Sequence, residues 1–246
     1  MDSIFSAAGL ISLLTLTLLE IVLGIDNIIF ISIVSNKLPE HERPKARRIG
    51  LTLALLFRVM MLFGITLIMG FTKPVIAFEA LGHAFDFSGR DIILLIGGLF
   101  LITKSTSEMH HKIKNIEDHT QDSFGPKKVS VAKTIVQIVL LDIVFSFDSI
   151  LTAVGLTQNL PIMIMAVIIS MAIMMFFAGK ISDFINNRPT LQILALSFLV
   201  LIGFMLLLES FHFEVPKGYI YFAVCYALIV EIINMRFEKK RKKHTS

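Results

Sequence analysis

The side chains of this chain that could bind a cation lie in two similar acidic motifs. Residues 19–39 read LEIVLGIDNIIFISIVSNKLP, and residues 141–161 read LDIVFSFDSILTAVGLTQNLP. At a constant offset of 122 residues, the polar positions pair as Glu20 with Asp142, Gly24 with Ser146, Asp26 with Asp148, and Asn27 with Ser149. Hydrophobic segments resemble one another by chance, but two acids six residues apart and followed by an amide or a hydroxyl do not readily recur. The chain therefore contains an internal repeat built around acidic residues.

These motifs offer hard oxygen ligands. Carboxylate, amide and hydroxyl oxygens suit Mn²⁺, Ca²⁺ or Mg²⁺ better than Cu⁺ or Zn²⁺. The chain has one cysteine, Cys225, and no CxxC pair, so we expect no thiolate metal site. Four carboxylates gathered in one place would repel each other and partly protonate unless a cation joined them. The candidate metal ligands are Glu20, Asp26, Asn27, Asp142, Asp148 and Ser149.

The elements that must position these acids are predicted to be membrane-spanning helices. Of the 246 residues, 55% are hydrophobic and 17% are charged, whereas soluble domains carry about 25% charged residues. The mean hydropathy is +0.78. Apolar blocks of roughly 18 or more residues are typical of helices that satisfy their backbone polar groups inside lipid. The candidate spans are about 9–35, 49–71, 91–109, 131–156, 162–183, 190–209 and 218–236.

These spans predict an all-α fold. We expect a polytopic membrane protein with about seven transmembrane helices, arranged as a 3+3 inverted repeat plus one C-terminal helix. The whole chain, 1–246, is predicted to form a single integral membrane domain. Its predicted parts are repeat 1 at about 9–110, a cytoplasmic loop at about 110–130, repeat 2 at about 131–210, an extra helix at 218–236 and a basic cytoplasmic tail at 237–246.

The distribution of basic residues predicts the orientation. Lys and Arg are concentrated in the first loop, the third loop and the tail. Since cytoplasmic loops carry the excess of positive charge, the N-terminus is expected outside and the C-terminus in the cytoplasm. The formal net charge of +4 is explained by this topology. No basic helix face or stacking aromatic pattern accompanies it, so the expected partner is a lipid bilayer and not nucleic acid.

Helix geometry places the two motifs at a similar depth. Glu20 and Asp142 each lie 11 residues past the start of their spans, which corresponds to about 16 Å, or half of the membrane. A charged side chain at that depth costs roughly 2.5–3.5 kcal/mol on insertion scales. Arg58, deep in the second span, is the obvious compensating partner, but one arginine cannot neutralise four acids. Arg58 is therefore a candidate for gating or charge compensation of the empty site.

A regular helix would separate the two acids of each motif. Asp26 and Asp148 follow the first acid by six residues and would point about 120° away from it. Gly24 and Ser146 lie between the acids. We therefore hypothesise that each helix breaks or widens there, which would swing the second acid inward and free backbone carbonyls as further ligands.

A second polar set lies in the third loop and at the end of the preceding span. Its spacing matches no closed metal site, so we interpret it as a solvated charged linker. Its members are Glu108, His110, His111, Glu117, Asp118, His119 and Asp122.

The motifs resemble those of a known family. The segments LLEIVLGIDNIIFISIVSNKLP, GGLFLITKS and LLDIVFSFDSILTAVGL are similar to the TerC family of bacterial integral membrane proteins, and the resemblance extends over about 10–236. That family belongs to the LysE-like exporter assemblage and is named for tellurium resistance. Several of its members are implicated in Mn²⁺ export or in supplying Mn²⁺ to secreted proteins. The resemblance implies a bacterial cytoplasmic (inner) membrane location and a role for the six candidate ligands.

The expected function is export of divalent cations through the midplane acidic site, with Mn²⁺ as the first choice, Ca²⁺ as the alternative ion and proton antiport as the mechanism. No resident cofactor and no enzymatic activity are expected. The partner prediction also includes a homo-oligomer or other membrane complex partners. One alternative function is a membrane scaffold in a stress or tellurite-resistance complex with a structural metal. Another is an intramembrane aspartyl protease, although the Gly-x-Gly-Asp motif is replaced by Leu23-Gly24-Ile25-Asp26. An amino-acid exporter would want cationic partners for its substrate, and the midplane is acidic.

Overall fold

The computed structural model describes residues 6–64, 69, 72, 74–80, 83–117, 130–213 and 215–244. Within this part of the chain, seven α-helices and two β-strands follow one another. The helices are α1 (Ala7–Ser35), α2 (Arg43–Phe63), α3 (Gly89–Glu117), α4 (Val131–Leu156), α5 (Leu160–Asn186), α6 (Pro189–Ser210) and α7 (Lys217–His244). The strands are β1 (Pro74–Ala80) and β2 (His83–Ser88).

The prediction of an all-α polytopic membrane protein is confirmed. Among the described residues, six helices are long and apolar enough to cross a membrane, namely α1, α3, α4, α5, α6 and α7. The first part of the second predicted span, 49–71, lies in α2, which ends at Phe63. Most of the remainder of that span lies outside the described residues. The third span is longer than predicted: it continues past 109 to Glu117, and the i,i+4 contact between Lys104 and Glu108 lies within its polar end.

Proline and capping residues delimit several helices. Ser6 precedes α1, and its side chain accepts a hydrogen bond from the backbone N–H of Gly9. Pro44, Pro161 and Pro189 lie in the first turns of α2, α5 and α6, where a missing backbone N–H costs nothing. The segment between α2 and α3 holds an element that the sequence analysis did not predict: β1 and β2 form an antiparallel pair.

Four helices form the larger packing unit, which we call the four-helix unit: α1, α2, α4 and α5. Helix α1 packs mainly against α5, and α2 packs mainly against α4. A continuous apolar core joins the four, with Leu16, Leu51, Ile150 and Met171 almost fully buried in it. Helices α1 and α2, from the half of the chain with the first acidic motif, thus lie against α5 and α4, from the half with the second motif. The inverted repeat itself stays a prediction.

Helices α3 and α6 form a second unit, the α3/α6 pair. They approach closely at Gly98 and Gly203: a Cβ atom added to Gly98 would lie 2.7 Å from the Gly203 carbonyl oxygen. Helix α7 packs on the outside of α6 through Ile220 and Val224.

The boundary between the four-helix unit and the α3/α6 pair is sparsely packed compared with either unit, and we call it the seam. It is apolar in its middle, where side chains of α1, α3, α4, α5 and α6 meet. These residues are Ile29, Phe30, Val34, Leu101, Leu141, Ile185, Ala195, Leu196, Leu199 and Ile202.

The close helix approach generates a prediction. Gly98→Ala should lower the free energy of unfolding by roughly 1–3 kcal/mol, because the added methyl group meets backbone and cannot be relieved by a rotamer change. Gly179→Ala in α5 is the matched control, since nothing lies within 4 Å of its added Cβ; it should be neutral or stabilising by up to about 1 kcal/mol. Thermal unfolding in detergent, followed by circular dichroism, measures both. Equal melting temperatures for the two variants would contradict the close approach.

A buried charge cluster as candidate functional site

Five polar side chains converge inside the four-helix unit, and we call them the central cluster. Helix α1 supplies Glu20 and Asn27, α2 supplies Arg58, and α4 supplies Asp142 and Ser146. All five are buried; Glu20 and Arg58 are each 2% exposed and Asp142 is 3% exposed. Glu20 and Asn27 are seven residues apart, two helical turns, so one face of α1 carries both into the cluster.

Arg58 bridges the two acids of this cluster. Its Nη1 donates to Glu20 Oε2 at 2.5 Å, and its Nη2 donates to Asp142 Oδ1 at 3.1 Å. Its Nε donates to Ser146 Oγ at 2.7 Å. A buried charge must be paired and hydrogen-bonded because desolvation costs several kcal/mol per ion. Arg58 therefore serves as the electrostatic centre that holds α1, α2 and α4 together.

Asp142 accepts two further hydrogen bonds. Asn27 Nδ2 donates to Asp142 Oδ1 at 3.0 Å, and Ser146 Oγ donates to Asp142 Oδ2 at 3.0 Å. Because the Asn27 amide nitrogen faces the carboxylate, its oxygen Oδ1 points elsewhere. That oxygen is buried, and among the described residues no hydrogen-bond donor reaches it. A buried acceptor of this kind is where a water molecule or a cation is accommodated.

The charges of the central cluster do not balance. Two carboxylates face one guanidinium, which leaves a formal charge of −1 when both acids are ionised. The cluster therefore favours cations over anions. It also fits the donor set of a hard divalent cation, since its free and shared oxygens come from carboxylate, amide and hydroxyl groups.

The structure brings together some of the predicted site residues and not others. Glu20, Asn27, Asp142 and Arg58 meet in the central cluster. Ser149 is buried nearby, but its hydroxyl donates to the Ser146 carbonyl at 3.3 Å. Asp26 belongs to α1, and its side chain lies outside the described residues. The role of the six candidates in metal binding stays a prediction.

The hypothesis of broken helices is wrong for this structure. Both α1 and α4 are continuous α-helices through their motifs. Ser146 stays inside a regular turn because its hydroxyl is held between Asp142, one turn away, and Arg58. Gly24 has a packing role, since a Cβ atom there would overlap the Met174 sulfur of α5. A continuous helix also pairs its interior backbone N–H and C=O groups with each other, so these groups need no other partner in lipid.

Because α4 is continuous, its two acids have different partners. Asp148 Oδ1 accepts from Arg90 Nη2 at 2.8 Å, away from the central cluster. Arg90 also lies 3.7 Å from Glu209 Oε2 and 3.9 Å from Asp91 Oδ1. His212 Nε2 completes this group at 3.1 Å from Asp91 Oδ2. We call these five residues the Arg90 cluster.

The Arg90 cluster borders an open pocket of about 370 Å³. Its lining includes Arg90, Asp148, Thr152, Glu209, His212 and Pro216. Among the side chains that the structure describes, no three His, Cys, Asp or Glu groups converge with metal-ligand geometry. The arrangement seen is thus an ion-paired one, in which Arg58 lies between Glu20 and Asp142, and Arg90 lies among Asp91, Asp148 and Glu209.

Several residues of these clusters were missed by the sequence analysis. Ser146 was noted only as a flexible point, although its spacing of four from Asp142 predicts a side-chain contact on one helix face. Arg90 and Glu209 belong to different helices, far apart in sequence, and no local spacing connects them. Glu108 of α3 also pairs with Lys37 in the loop after α1, so part of the set interpreted as a solvated linker makes a tertiary contact.

The comparisons with known proteins agree with this architecture. The model of the integral membrane protein TerC family matches residues 5–246. The chain is 50% identical over 232 residues to a UPF0053 protein of Haemophilus influenzae, covering 94% of this chain and 95% of that relative. It is 49% identical over 226 residues to the UPF0053 inner membrane protein YgdQ of Escherichia coli, covering 92% of each.

A longer relative contains the same region. The chain is 44% identical over 234 residues to the UPF0053 inner membrane protein YoaE of Escherichia coli, which covers 95% of this chain but 44% of YoaE. No solved structure matches the chain.

The fold and the buried charge cluster define a polytopic α-helical membrane protein with ionisable groups inside its helical bundle. Within that class, the chain belongs to the TerC family, and the resemblance of its acidic motifs to that family is confirmed. The two Escherichia coli relatives are inner membrane proteins by name.

The Arg58 bridge generates the second prediction. Arg58→Met should lower the free energy of unfolding by about 3–5 kcal/mol, because it leaves two buried carboxylates uncompensated. Adding Glu20→Gln restores the formal charge of −1 and should recover part of the loss. Arg48→Met, an exposed position of the same helix, is the control and should change stability little. The measurement is the melting temperature in detergent. A variant Arg58→Met as stable as the control would disprove the bridging role.

Proposed function

We propose that this protein transports divalent metal cations across the bacterial inner membrane, with Mn²⁺ as the preferred substrate and export as the direction. The observation that carries the proposal is the central cluster, a net negative group of buried oxygens inside a membrane-embedded helical bundle. Ionisable residues inside a membrane are costly, and they mark ion pathways and substrate sites. The resemblance of the motifs to the TerC family supports the choice of metal.

The proposed substrate ligands in the central cluster are the carboxylates of Glu20 and Asp142, the amide oxygen of Asn27 and the hydroxyl of Ser146. The buried Asn27 Oδ1 supports this assignment, because it is an acceptor with no donor among the described residues. A divalent cation would neutralise two carboxylates completely, which a single arginine does not. Mn²⁺ and Ca²⁺ both accept such oxygen ligands, and the flux measurement below distinguishes them.

In the proposed transport cycle, Arg58 compensates the charge of the empty site during the return step. In the described arrangement the guanidinium occupies the space between the two acids. An arriving cation must displace it, and after release Arg58 restores compensation of the empty site. This exchange avoids exposing two unpaired carboxylates to the bilayer interior. Protons are the simplest coupling ion, because the carboxylates bind either a proton or a metal.

The remaining predicted ligands, Asp26, Asp148 and Ser149, are proposed to act along the path of the cation. Asp148 supports this idea, because it lies on the same helix as Asp142 and borders an open pocket. We propose an N-terminus outside the cell and a cytoplasmic C-terminus, which the loop charges support. Under that orientation the pocket beside Asp148 faces outward.

A structural role is the second candidate function. The observation that favours it is the saturation of Arg58, whose three nitrogen positions all have partners within the cluster. A membrane scaffold would use this network to fix helix packing without moving an ion. A protease is disfavoured, since an aspartyl dyad shares a proton between two acids, whereas these acids share an arginine.

The test is cation flux into proteoliposomes, comparing Mn²⁺, Ca²⁺, Mg²⁺ and Zn²⁺. The native protein should give saturable Mn²⁺ flux. Asp142→Asn and Glu20→Gln should each reduce it by at least about tenfold, the scale of loss when a metal site loses a supporting group. Asn27→Ala should raise the half-saturating Mn²⁺ concentration, since it removes an acceptor without changing charge. Reversing the pH gradient should change the flux if protons are exchanged.

The matched control is Asp183→Asn, which removes an exposed acid of α5 away from the cluster. Its flux should equal that of the native protein. Absence of flux for all four cations, with a native melting temperature, would reject transport and favour the scaffold. Flux that survives in Asp142→Asn would place the substrate site elsewhere in the bundle.

A further inference from the structure

The seam carries ion pairs at both of its ends. Its middle is a layer of apolar side chains with no charged member. At one end Arg90, in the first turn of α3, pairs with Asp148 of α4. Near the other end Glu108 of α3 pairs with Lys37, which follows α1. In both pairs one partner belongs to the α3/α6 pair, and the other belongs to the four-helix unit or to the loop that continues it.

These two contacts are far apart. Arg90 and Glu108 are separated by 18 residues of the same helix, which corresponds to about 27 Å along its axis. That length is nearly the thickness of the hydrocarbon core, so the pairs lie near opposite membrane faces. Opening one end of the seam would break one pair and leave the other in place.

The cation of each pair is accessible to water. The Arg90 side chain is 25% exposed and that of Lys37 is 33% exposed, so water can replace the lost partner. The two acids are less exposed, at 10% for the Asp148 side chain and 12% for that of Glu108, so both pairs are intermediate between surface ion pairs and the fully buried Arg58 bridge. Each pair also has a second partner of opposite charge nearby. Glu209 lies near Arg90, and Lys104 lies 3.5 Å from Glu108.

We propose that the Arg90–Asp148 and Lys37–Glu108 pairs are alternating latches, which close the two ends of the seam in turn as the α3/α6 pair rocks against the four-helix unit. The proposal rests on the proposed transport function, because it supplies the alternating access that transport requires. The apolar middle of the seam acts as the pivot, since it has no directional bonds to break during a small rotation. The close Gly98–Gly203 contact keeps α3 and α6 moving as one body.

Opening the Arg90 latch would have a direct consequence for cations. Asp148 is 7% exposed and is held by Arg90. When the pair separates, the carboxylate faces the adjoining pocket and attracts a cation. Asp142 lies six residues away on the same helix, about 9 Å along its axis. The latch would thus couple opening of the seam to a change of charge at the mouth of the path.

The test uses two cysteine reporters on α3, in a Cys225→Ser background. Leu94→Cys lies one turn from Arg90, and Ser105→Cys lies one turn from Glu108; the native side chains are 0% and 2% exposed. The protein is placed in lipid nanodiscs, where both faces are open to a water-soluble maleimide. Labelling rates are normalised to those of the unfolded protein.

Breaking each latch should open its own end. Lys37→Gln should raise the labelling rate of Ser105→Cys by about fivefold, the shift that a partly exposed ion pair can supply. The same variant should lower the rate of Leu94→Cys. Arg90→Gln should have the reverse effects, and Arg90→Lys, which keeps the charge, should have a weaker one.

Lys133→Gln, at an exposed position of α4, is the control and should change neither rate. Both rates rising in every latch variant would mean general loosening of the seam and would overturn the proposal, as would unchanged rates. The labelling does not depend on metal flux, so the two proposals fail separately. Reciprocal labelling without Mn²⁺ flux would support the latches and reject transport. Mn²⁺ flux with unchanged labelling would support transport and overturn the latches.

Discussion

The structure depends on the compensation of buried charge by Arg58. Inside a low-dielectric bundle, two carboxylates cannot remain ionised side by side without a cation between them. Arg58 meets this requirement from a third helix, and its three donors determine how α1, α2 and α4 face one another. The same requirement underlies the proposal that a divalent cation replaces the arginine between the two acids.

Close packing and sparse packing are divided between different parts of the molecule. The four-helix unit is held by a continuous apolar core and by fully buried polar contacts, including the Ser32–Ser182 hydrogen bond of 3.1 Å between α1 and α5. The α3/α6 pair is held by close backbone approach at Gly98 and Gly203. Between them the contacts are few and apolar, with ion pairs at the ends. The proposed transport function would use such a division, because packed cores are stiff and interfaces can shift.

Much of the fold could be predicted because lipid leaves few alternatives. Long apolar runs must be helices, so six of the predicted spans coincide with long apolar helices of the described residues. Helix α4 begins and ends at the predicted residues 131 and 156. The strands β1 and β2 were not predicted, because they lie between spans, where lipid imposes no such rule. For the site, Glu20, Asn27 and Asp142 were identified from the internal repeat of acidic motifs and Arg58 from its depth in a span, since such residues are rare inside membranes.

The sequence by itself determined the fold class, the family and the residue types that meet inside the four-helix unit, because hydrophobicity and rare intramembrane acids are local properties. Only the tertiary structure decided which acids are neighbours. Asp142 and Asp148 share one motif, yet a continuous helix turns them toward Arg58 and Arg90 respectively. Those arginines come from other helices, so their pairing depends on interhelical packing. Charge partners across a bundle are set by three-dimensional proximity, which the spacing along one helix does not contain.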